Sequence, residues 1–169
     1  LYRLVDEFTL FYLKFMEGNK LKSTKAWRTI SEGKNFPIWQ GYAFENICMR
    51  HYEAILMALG ISGIHTEFAS FNHKGSPTED GLQIDMINDR RDNYMNLCEM
   101  KFSKDNYIVD KRYADALRKR REVFRRLSKT KKTIFNTFIT TYGVVGNEHR
   151  FAQIDNVITS DLLFKLKRF

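Results

Sequence analysis

Apolar residues recur along the chain at two spacings, which predict two kinds of element. Helical spacing predicts an aromatic N-terminal segment with Leu4, Phe8, Phe11 and Phe15 on one stripe, a helix over residues 38–59 that ends at Gly60, a helix over residues 110–128 and a short helix over residues 160–166. Runs rich in β-branched and aromatic residues predict strands over residues 64–71, 82–89, 94–103, 133–142 and 151–157.

The order of these elements predicts how the strands pair. A short polar turn at residues 90–93 joins two strands as an antiparallel hairpin, whereas a complete helix separates the third strand from the fourth. Such a connection favours a right-handed parallel crossover. The sequence therefore predicts an α/β fold with a mixed sheet. Residues 1–35 are interpreted as an N-terminal aromatic helical segment and linker, with a short helix around Trp27, and residues 36–169 as the main domain.

Charged residues interrupt the two strands of the hairpin. Asp85 lies within Leu82–Ile87, and Glu99 and Lys101 lie within the run 94–103, where alternation places them on the same face as Leu97. Both faces of this strand are largely apolar, as in a central strand covered on two sides. Burying an unpaired carboxylate or ammonium there costs several kcal/mol, about the penalty per ion that remains after relaxation. We therefore expect these charges to have a function.

The spacing of these charges favours a metal site. If the strands pair as a hairpin, Asp85 and Glu99 converge, and two carboxylates at a strand end suit a hard divalent cation such as Mg²⁺ or Mn²⁺. Lys101, two residues after Glu99, would hold an attacking water or stabilise charge on a phosphate. Gln83 is predicted to share the Asp85 face, either with a functional role or as a satisfied core amide.

The charge of the chain suggests a polyanionic partner. Its 169 residues carry 28 Lys and Arg against 20 Asp and Glu, a formal net charge of +8. Basic residues cluster on one helix, where they either form a solvated face or contact the DNA backbone. The candidates for backbone contact are Arg118, Lys119, Arg121, Arg125 and Lys111, and Tyr113 is a weaker candidate for substrate contact.

Several other classes of protein are disfavoured by the sequence. Cys48 and Cys98 have no CxxC spacing, so neither a disulfide framework nor a zinc site is expected, and a reducing, cytoplasmic environment fits better. GxSxG and GxxxxGK[ST] motifs are absent from the sequence, which argues against serine hydrolase and P-loop chemistry in these residues. Apolar runs are too short to cross a bilayer, so no membrane partner is expected.

The arrangement of Asp85 on the second strand and Glu99-Met100-Lys101 on the third, followed by a helix and a strand, resembles the PD-(D/E)xK nuclease superfamily, which includes restriction endonucleases and Holliday-junction resolvases. Ile84 stands where the proline of the motif name would be, a position that varies in this superfamily. The segments Gly41–Glu45, Gln83–Asp85 and Leu97–Ser103 more closely resemble the C-terminal nuclease-like domain of a family of prokaryotic AAA-type ATPases.

This resemblance implies a restriction-endonuclease-like αβββαβ core with a mixed central sheet flanked by helices, and a metal-dependent endodeoxyribonuclease activity. Asp85, Glu99, Glu45 and the Met100 carbonyl would hold Mg²⁺ or Mn²⁺, with Asp85, Glu99, Lys101 and Glu45 forming the catalytic set. It further implies an ATPase domain upstream in the same polypeptide, which agrees with a chain that begins at Leu1, and a homodimer for double-strand cleavage.

Two other functions remain open from the sequence. A catalytically inactive DNA-binding or regulatory module of an ATPase would need only the basic helix, with the carboxylates retained. An oligomerisation domain would instead use the aromatic N-terminal segment as its interface. Cleavage and binding assays on site and helix variants separate these three functions.

Overall fold

The structure, a computed structural model, describes residues 4, 6–17, 25–75 and 81–165. Contacts divide the chain into two units, residues 1–50 and 51–169. Asp85, Glu99 and Lys101 all belong to the second unit, whereas Glu45 belongs to the first. The sequence-based division at residues 35 and 36 assigned Glu45 to the same domain as the other three residues.

The second unit is built on a five-stranded mixed sheet, so the predicted α/β class is confirmed. Its strands lie in chain order across the sheet: β1 Thr66–His73, β2 Leu82–Arg90, β3 Tyr94–Lys101, β4 Thr133–Thr140 and β5 Asn156–Thr159. The first three strands are antiparallel, and β3, β4 and β5 are parallel to one another. The predicted parallel pairing of β3 and β4 through a crossover helix is therefore present.

Helices flank the sheet. The crossover helix α5, Lys111–Ser128, begins with an N-cap in which the Asp110 carboxylate accepts a hydrogen bond from the Tyr113 backbone N–H at 2.7 Å. Its apolar stripe, including Phe124, packs on a row of buried residues from β2, β3 and β4: Leu82, Ile84, Ile87, Met95, Leu97 and Ile134. The row formed by Met95 and Leu97 continues along β3 to Glu99, which brings this carboxylate under the same helix.

The described residues of the second unit form three further helices: α4 Tyr52–Ala58, α6 Glu148–Gln153 and α7 Ser160–Phe164. In the first unit lie α1 Glu7–Phe11, a π-helical turn at Tyr12–Met16, α2 Lys25–Ser31 and α3 Asn35–Arg50. Within the described ranges, no helix has both the length and the apolar character needed to cross a membrane.

The single helix predicted over residues 38–59 is wrong, because the structure has two helices there. Helix α3 ends at Arg50, and His51 leaves the helical region with φ −101° and ψ 31° before α4 begins. The apolar stripe continues past the break, so local spacing gives no sign of it. The His51 ring packs against Phe164, with ring centroids 4.7 Å apart. This contact is tertiary and cannot be read from a local pattern.

The strand predicted over residues 151–157 is also wrong in its first part. Residues Glu148–Gln153 form α6, with Asn147 as its N-cap, and the strand β5 begins only at Asn156. The Asn147 side chain accepts a hydrogen bond from the Arg150 N–H at 2.8 Å. This cap, followed by an acidic residue in the first turn, is a helix-start signal that outweighs the aromatic Phe151.

Smaller differences concern element ends. Strand β1 is displaced by two residues toward the C-terminus relative to the predicted 64–71, and β3 and β4 end two residues earlier than predicted. The short helix around Trp27 is confirmed as α2. In the aromatic N-terminal segment, Phe15 is buried and Phe8 is exposed. Rings of Phe11, Phe15, Trp27, Phe36 and Trp39 pack on one another at centroid distances of 5.2 to 6.2 Å.

Candidate active site

A bulge in β2 positions Asp85. Phe71 of β1 pairs with Ile84 and Ala69 pairs with Ile87, so two residues of β2 face a single residue of β1 at this point. An extra residue of this kind breaks strict alternation and re-aims side chains, and such bulges often lie beside functional sites. The regular pairing of β2 with β3 extends from Asp89 to Met86. Asp85 is therefore the first residue beyond it.

The Asp85 carboxylate bridges the two strands where the pairing ends. Its Oδ2 accepts a hydrogen bond from the Met100 backbone N–H at 3.0 Å. The N–H and C=O of one strand residue point toward the same neighbouring strand, so the Met100 carbonyl faces the same side as Asp85. A side-chain oxygen and a backbone oxygen thus belong to one end of the hairpin.

Glu99 and Lys101 lie on the face of β3 that α5 covers. The Lys101 ammonium nitrogen is 2.6 Å from Glu99 Oε1, and the Glu99 side chain is only 5 % exposed. Lys101 is one-third exposed, so its ammonium lies between the buried carboxylate and solvent. The predicted alternation along β3, which placed these two charges on one face, is therefore present in the structure.

Helix α5 supplies two more partners of Glu99. The Tyr113 hydroxyl donates a hydrogen bond to Glu99 Oε1 at 3.0 Å, and the Arg120 guanidinium donates to Oε2. These residues are seven positions apart, two helical turns, so both reach the same face. Three side chains thus donate to one buried carboxylate, each from a position fixed by the crossover β3–α5.

The two carboxyl groups differ in their electrostatics. Burial raises the pKa of Asp85 above its usual value, and the nearby Glu99 charge raises it further, against the opposing effects of the Met100 N–H and Lys101. Burial also acts to raise the pKa of Glu99, but Arg120 and Lys101 outweigh it and hold that pKa below its usual value. Glu99 is thus the more firmly ionised carboxylate, and Asp85 the one that its surroundings disfavour as an anion.

Both cations remain charged at neutral pH. Burial acts to lower the pKa of Lys101 and of Arg120, but Glu99 is the main opposing influence and raises each pKa above its usual value. The Tyr113 hydroxyl also has a raised pKa, first because of burial and then because of the Glu99 charge. Tyr113 therefore acts as a neutral hydrogen-bond donor in this arrangement.

Arg120 is the site residue that the sequence interpretation missed. It assigned Arg118, Lys119, Arg121 and Arg125 to the exposed face and gave Arg120 no role. A signal was present, because Arg120 follows Tyr113 by seven residues and precedes Phe124 by four, on the inward stripe of the helix. An arginine on an apolar stripe beside a buried glutamate is a pattern that predicts an ion pair.

The predicted DNA-contact residues lie along α5. Lys111, Arg118, Lys119 and Arg125 are exposed, and Arg121 is half-buried. Arg118 Nη2 also forms an ion pair with Asp115 Oδ1 at 2.9 Å. The exposed face of α5 therefore carries positive charge, as expected. At Arg118 the ion pair with Asp115 offsets part of that charge.

A groove borders the site on the side of α5. Its volume is about 290 Å³, and its lining comes from the start of β2 and the middle of α5: Gly81, Leu82, Gln83, Ala116, Lys119, Arg120 and Val123. Gln83 is exposed here, so the alternative of a buried core amide is wrong. Arg120 belongs both to this groove and to the Glu99 cluster.

The donor set of Asp85, Glu99 and the Met100 carbonyl fits a hard divalent cation in its chemistry, since all three offer oxygen. Glu45 is predicted to add a further carboxylate from α3, and this role stays a prediction. Among the residues that the structure describes, no three or more His, Cys, Asp or Glu side chains are gathered closely enough to hold a metal ion. The described part of the second unit thus offers two carboxylates and one backbone oxygen for such a cation.

Comparisons with known proteins found one distant structural similarity. No family model matches the chain, and no curated protein matches it either. Among solved structures, the crystal structure of a protein of unknown function, AF1548, is 16 % identical in sequence, with a TM-score of 0.46. The similarity covers 73 % of this chain and 71 % of that chain.

Proposed function

We propose that this chain is a Mg²⁺- or Mn²⁺-dependent endonuclease-like domain of the PD-(D/E)xK kind, which hydrolyses phosphodiester bonds in DNA. The observation that supports this most is the meeting of Asp85, Glu99 and Lys101, since a bulge, a hairpin and a strand alternation all act to gather them. Retaining these charges in a mostly apolar interior costs stability, which is more typical of functional sites than of structural ones.

Each residue has a role in this proposal. Asp85, Glu99 and the Met100 carbonyl would hold the cation, with Glu45 as an additional ligand. The cation would stabilise charge on the scissile phosphate and acidify a bound water. Lys101 stays protonated and would orient the water or donate to a phosphate oxygen as charge develops there. In the absence of the cation, Tyr113 and Arg120 hold the Glu99 carboxylate in place.

The wider setting of the domain is also part of the proposal. The sequence resemblance supports an ATPase domain upstream in the same polypeptide, and the two cysteines without CxxC spacing support a cytoplasmic location. A homodimer would supply the two sites that a double-strand cut requires. Size-exclusion chromatography with light scattering, with and without DNA, measures the oligomeric state.

Asp85→Asn is the variant that tests the proposed activity. With supercoiled plasmid and branched DNA, we expect cleavage by the unaltered chain in Mn²⁺, none in EDTA and none by Asp85→Asn. Because the pKa of Asp85 is raised, ionising it at neutral pH opposes folding. The variant should therefore be more stable than the unaltered chain at pH 7, by about 1 kcal/mol, a typical gain when a strained functional group is removed.

The added stability makes this variant informative. Loss of cleavage in a protein that unfolds at higher urea cannot be attributed to misfolding. Cleavage that persists at equal rate in Asp85→Asn, or in EDTA, contradicts the proposed activity. Urea unfolding at pH 7 provides the stability measurement.

One observation favours the second function, a DNA-binding module without catalysis. Arg120, Lys101 and Tyr113 already satisfy Glu99, so the carboxylate has compensating partners without a cation. Under this alternative the cluster is a structural ion network and α5 alone is functional. Normal DNA binding with no cleavage of any substrate in Mn²⁺ or Mg²⁺ would support it.

Removing charge from α5 tests either DNA-dependent function. We expect Arg121→Gln/Arg125→Gln to weaken DNA binding and to lower the slope of log K against log salt by about 2, since each backbone contact contributes about 0.9. Fluorescence anisotropy over a salt series measures this slope. The matched control is Arg91→Gln/Lys131→Gln, which removes the same charge from exposed positions outside α5. Equal slopes for the two variants would exclude α5 as the binding face.

A further inference from the structure

The charges around Glu99 balance without a metal ion. The site contains two carboxyl groups, Asp85 and Glu99, and two cationic side chains, Lys101 and Arg120, both of which form an ion pair with Glu99. A divalent cation added to this arrangement would leave an excess of two positive charges in a poorly solvated place. Such an excess is costly, so either a resident cation must move away or an anion must arrive.

The hydrogen bonds of Glu99 indicate which cation would move. Oε1 accepts from Tyr113 at 3.0 Å and lies 2.6 Å from the Lys101 ammonium, which accounts for the two acceptor positions of that oxygen. Oε2 accepts from Arg120. Oε2 therefore has the acceptor position left for a cation, and a cation there would lie beside the guanidinium and repel it. Arg120 is 23 % exposed at its side chain, whereas Glu99 is 5 % exposed. The arginine has an open side and the carboxylate does not.

The groove beside the site offers Arg120 another position. Arg120 lines it together with the exposed residues Gln83 and Lys119. A guanidinium binds a phosphate in the same bidentate manner in which it binds a carboxylate. A nucleic-acid phosphate entering this groove could thus take Arg120 as its partner, and its negative charge would also offset the added cation.

We propose that Arg120 is the resident counter-ion of Glu99 and exchanges Glu99 for a DNA phosphate, so that DNA and the divalent cation bind cooperatively. This inference rests on the proposed function, because it assumes that the cation binds at Asp85 and Glu99. By linkage, DNA must raise the affinity for the cation by the same factor by which the cation raises the affinity for DNA. The full metal site then forms only when substrate is bound.

Binding of Mn²⁺ tests this without any measurement of cleavage. Calorimetric titration of the unaltered chain with Mn²⁺ is compared with and without a phosphorothioate DNA duplex, which resists hydrolysis. We expect the duplex to raise Mn²⁺ affinity by about 5- to 150-fold, the usual range of such coupling. In the absence of DNA, Arg120→Gln should bind Mn²⁺ more tightly than the unaltered chain does. Adding the duplex should raise the Mn²⁺ affinity of this variant by less than about twofold.

Controls separate this inference from the proposed function. Arg112→Gln removes one charge from the exposed first turn of α5, and it should behave as the unaltered chain. If the duplex raises Mn²⁺ affinity as much in Arg120→Gln as in the unaltered chain, the role of Arg120 is overturned, while the metal site itself is not. If Asp85→Asn binds Mn²⁺ as tightly as the unaltered chain does, the proposed metal site is overturned.

A second variant covers the case in which Arg120→Gln does not fold. Arg120→Lys keeps the positive charge, but a lysine ammonium lacks the planar fork that suits both carboxylate and phosphate. We expect it to fold and to show a weaker enhancement of Mn²⁺ affinity by DNA than the unaltered chain. An enhancement at least as large would contradict the exchange.

Discussion

Glu99→Gln is expected to lower the free energy of unfolding by about 3 kcal/mol, the lower end of the range for breaking a buried ion pair. The amide keeps the shape of the side chain but removes the negative charge. Arg120 and Lys101 are then left facing a neutral group, and Tyr113 loses a charged acceptor. The lower end of the range applies because both cations retain some access to water. Urea unfolding at pH 7 measures the loss.

A double variant identifies the cause. Glu99→Leu/Arg120→Leu removes the Glu99–Arg120 pair and leaves Lys101, which is one-third exposed, to solvent, so it should recover part of the lost stability, as apolar replacements of buried ion pairs often do. Asp115→Asn is the matched control, because Asp115 pairs with Arg118 at an exposed position. It should change stability by less than about 0.5 kcal/mol. If Asp115→Asn lost as much stability as Glu99→Gln, the burial of Glu99 would not explain the loss.

The same carboxylate predicts a dependence of stability on pH. Because the pKa of Glu99 in the folded chain lies below its usual value of 4.5, its contribution is fully present above that pH. The contribution is lost as the pH falls through the folded pKa, when the unfolded chain has already taken up the proton. In Glu99→Gln this part of the acid sensitivity should be absent, which unfolding curves between pH 3 and 7 would reveal.

Lys101→Met is expected to reduce Mn²⁺-dependent DNA cleavage by about 10²- to 10³-fold, the usual cost of removing one preorganised donor to a developing charge. The methionine keeps most of the apolar stem of the lysine and removes only the ammonium. Binding of DNA should change little, because Lys101 is one charge beside the whole basic face of α5. Single-turnover cleavage at saturating enzyme separates the chemical step from binding.

Lys104→Met provides the control for Lys101→Met. It removes a lysine from an exposed loop just beyond the end of β3, and it should leave the cleavage rate within about twofold, as expected of a surface change of less than 0.5 kcal/mol. Full activity in Lys101→Met would contradict the role given to Lys101. Equal losses in the two variants would point to a general effect of charge near the substrate.

Strand periodicity was sufficient to predict much of the candidate site. Alternation along β3 put Glu99 and Lys101 on one face, and the hairpin brought Asp85 to the same end of the sheet. Both inferences depend only on residues that are close in sequence, either along one strand or across the single turn that joins β2 to β3. What alternation could not predict was the bulge in β2, since only the pairing with β1 reveals that extra residue.

The helical part of the site was harder to predict, and the reason is physical. On α5 the inward stripe contains Tyr113, Leu117 and Phe124, and Arg120 occupies the same stripe as a charged residue. Burial of an arginine depends on its partner across the fold, which a helical pattern alone does not specify. The break at His51 was missed for a similar reason, because its contact with Phe164 is more than a hundred residues away in sequence.

The crossover β3–α5 has a consequence for how the chain folds. Asp85, Glu99, Lys101, Tyr113 and Arg120 all come from one unbroken stretch of two strands and the helix that follows them. Bringing them together closes only short loops, so the entropy lost is small and grows slowly with loop length. We therefore expect the cluster to assemble early and locally, whereas the parallel partner β4 joins across a longer loop. A region of low contact order of this kind is expected to fold faster than the non-local pairing of β3 with β4.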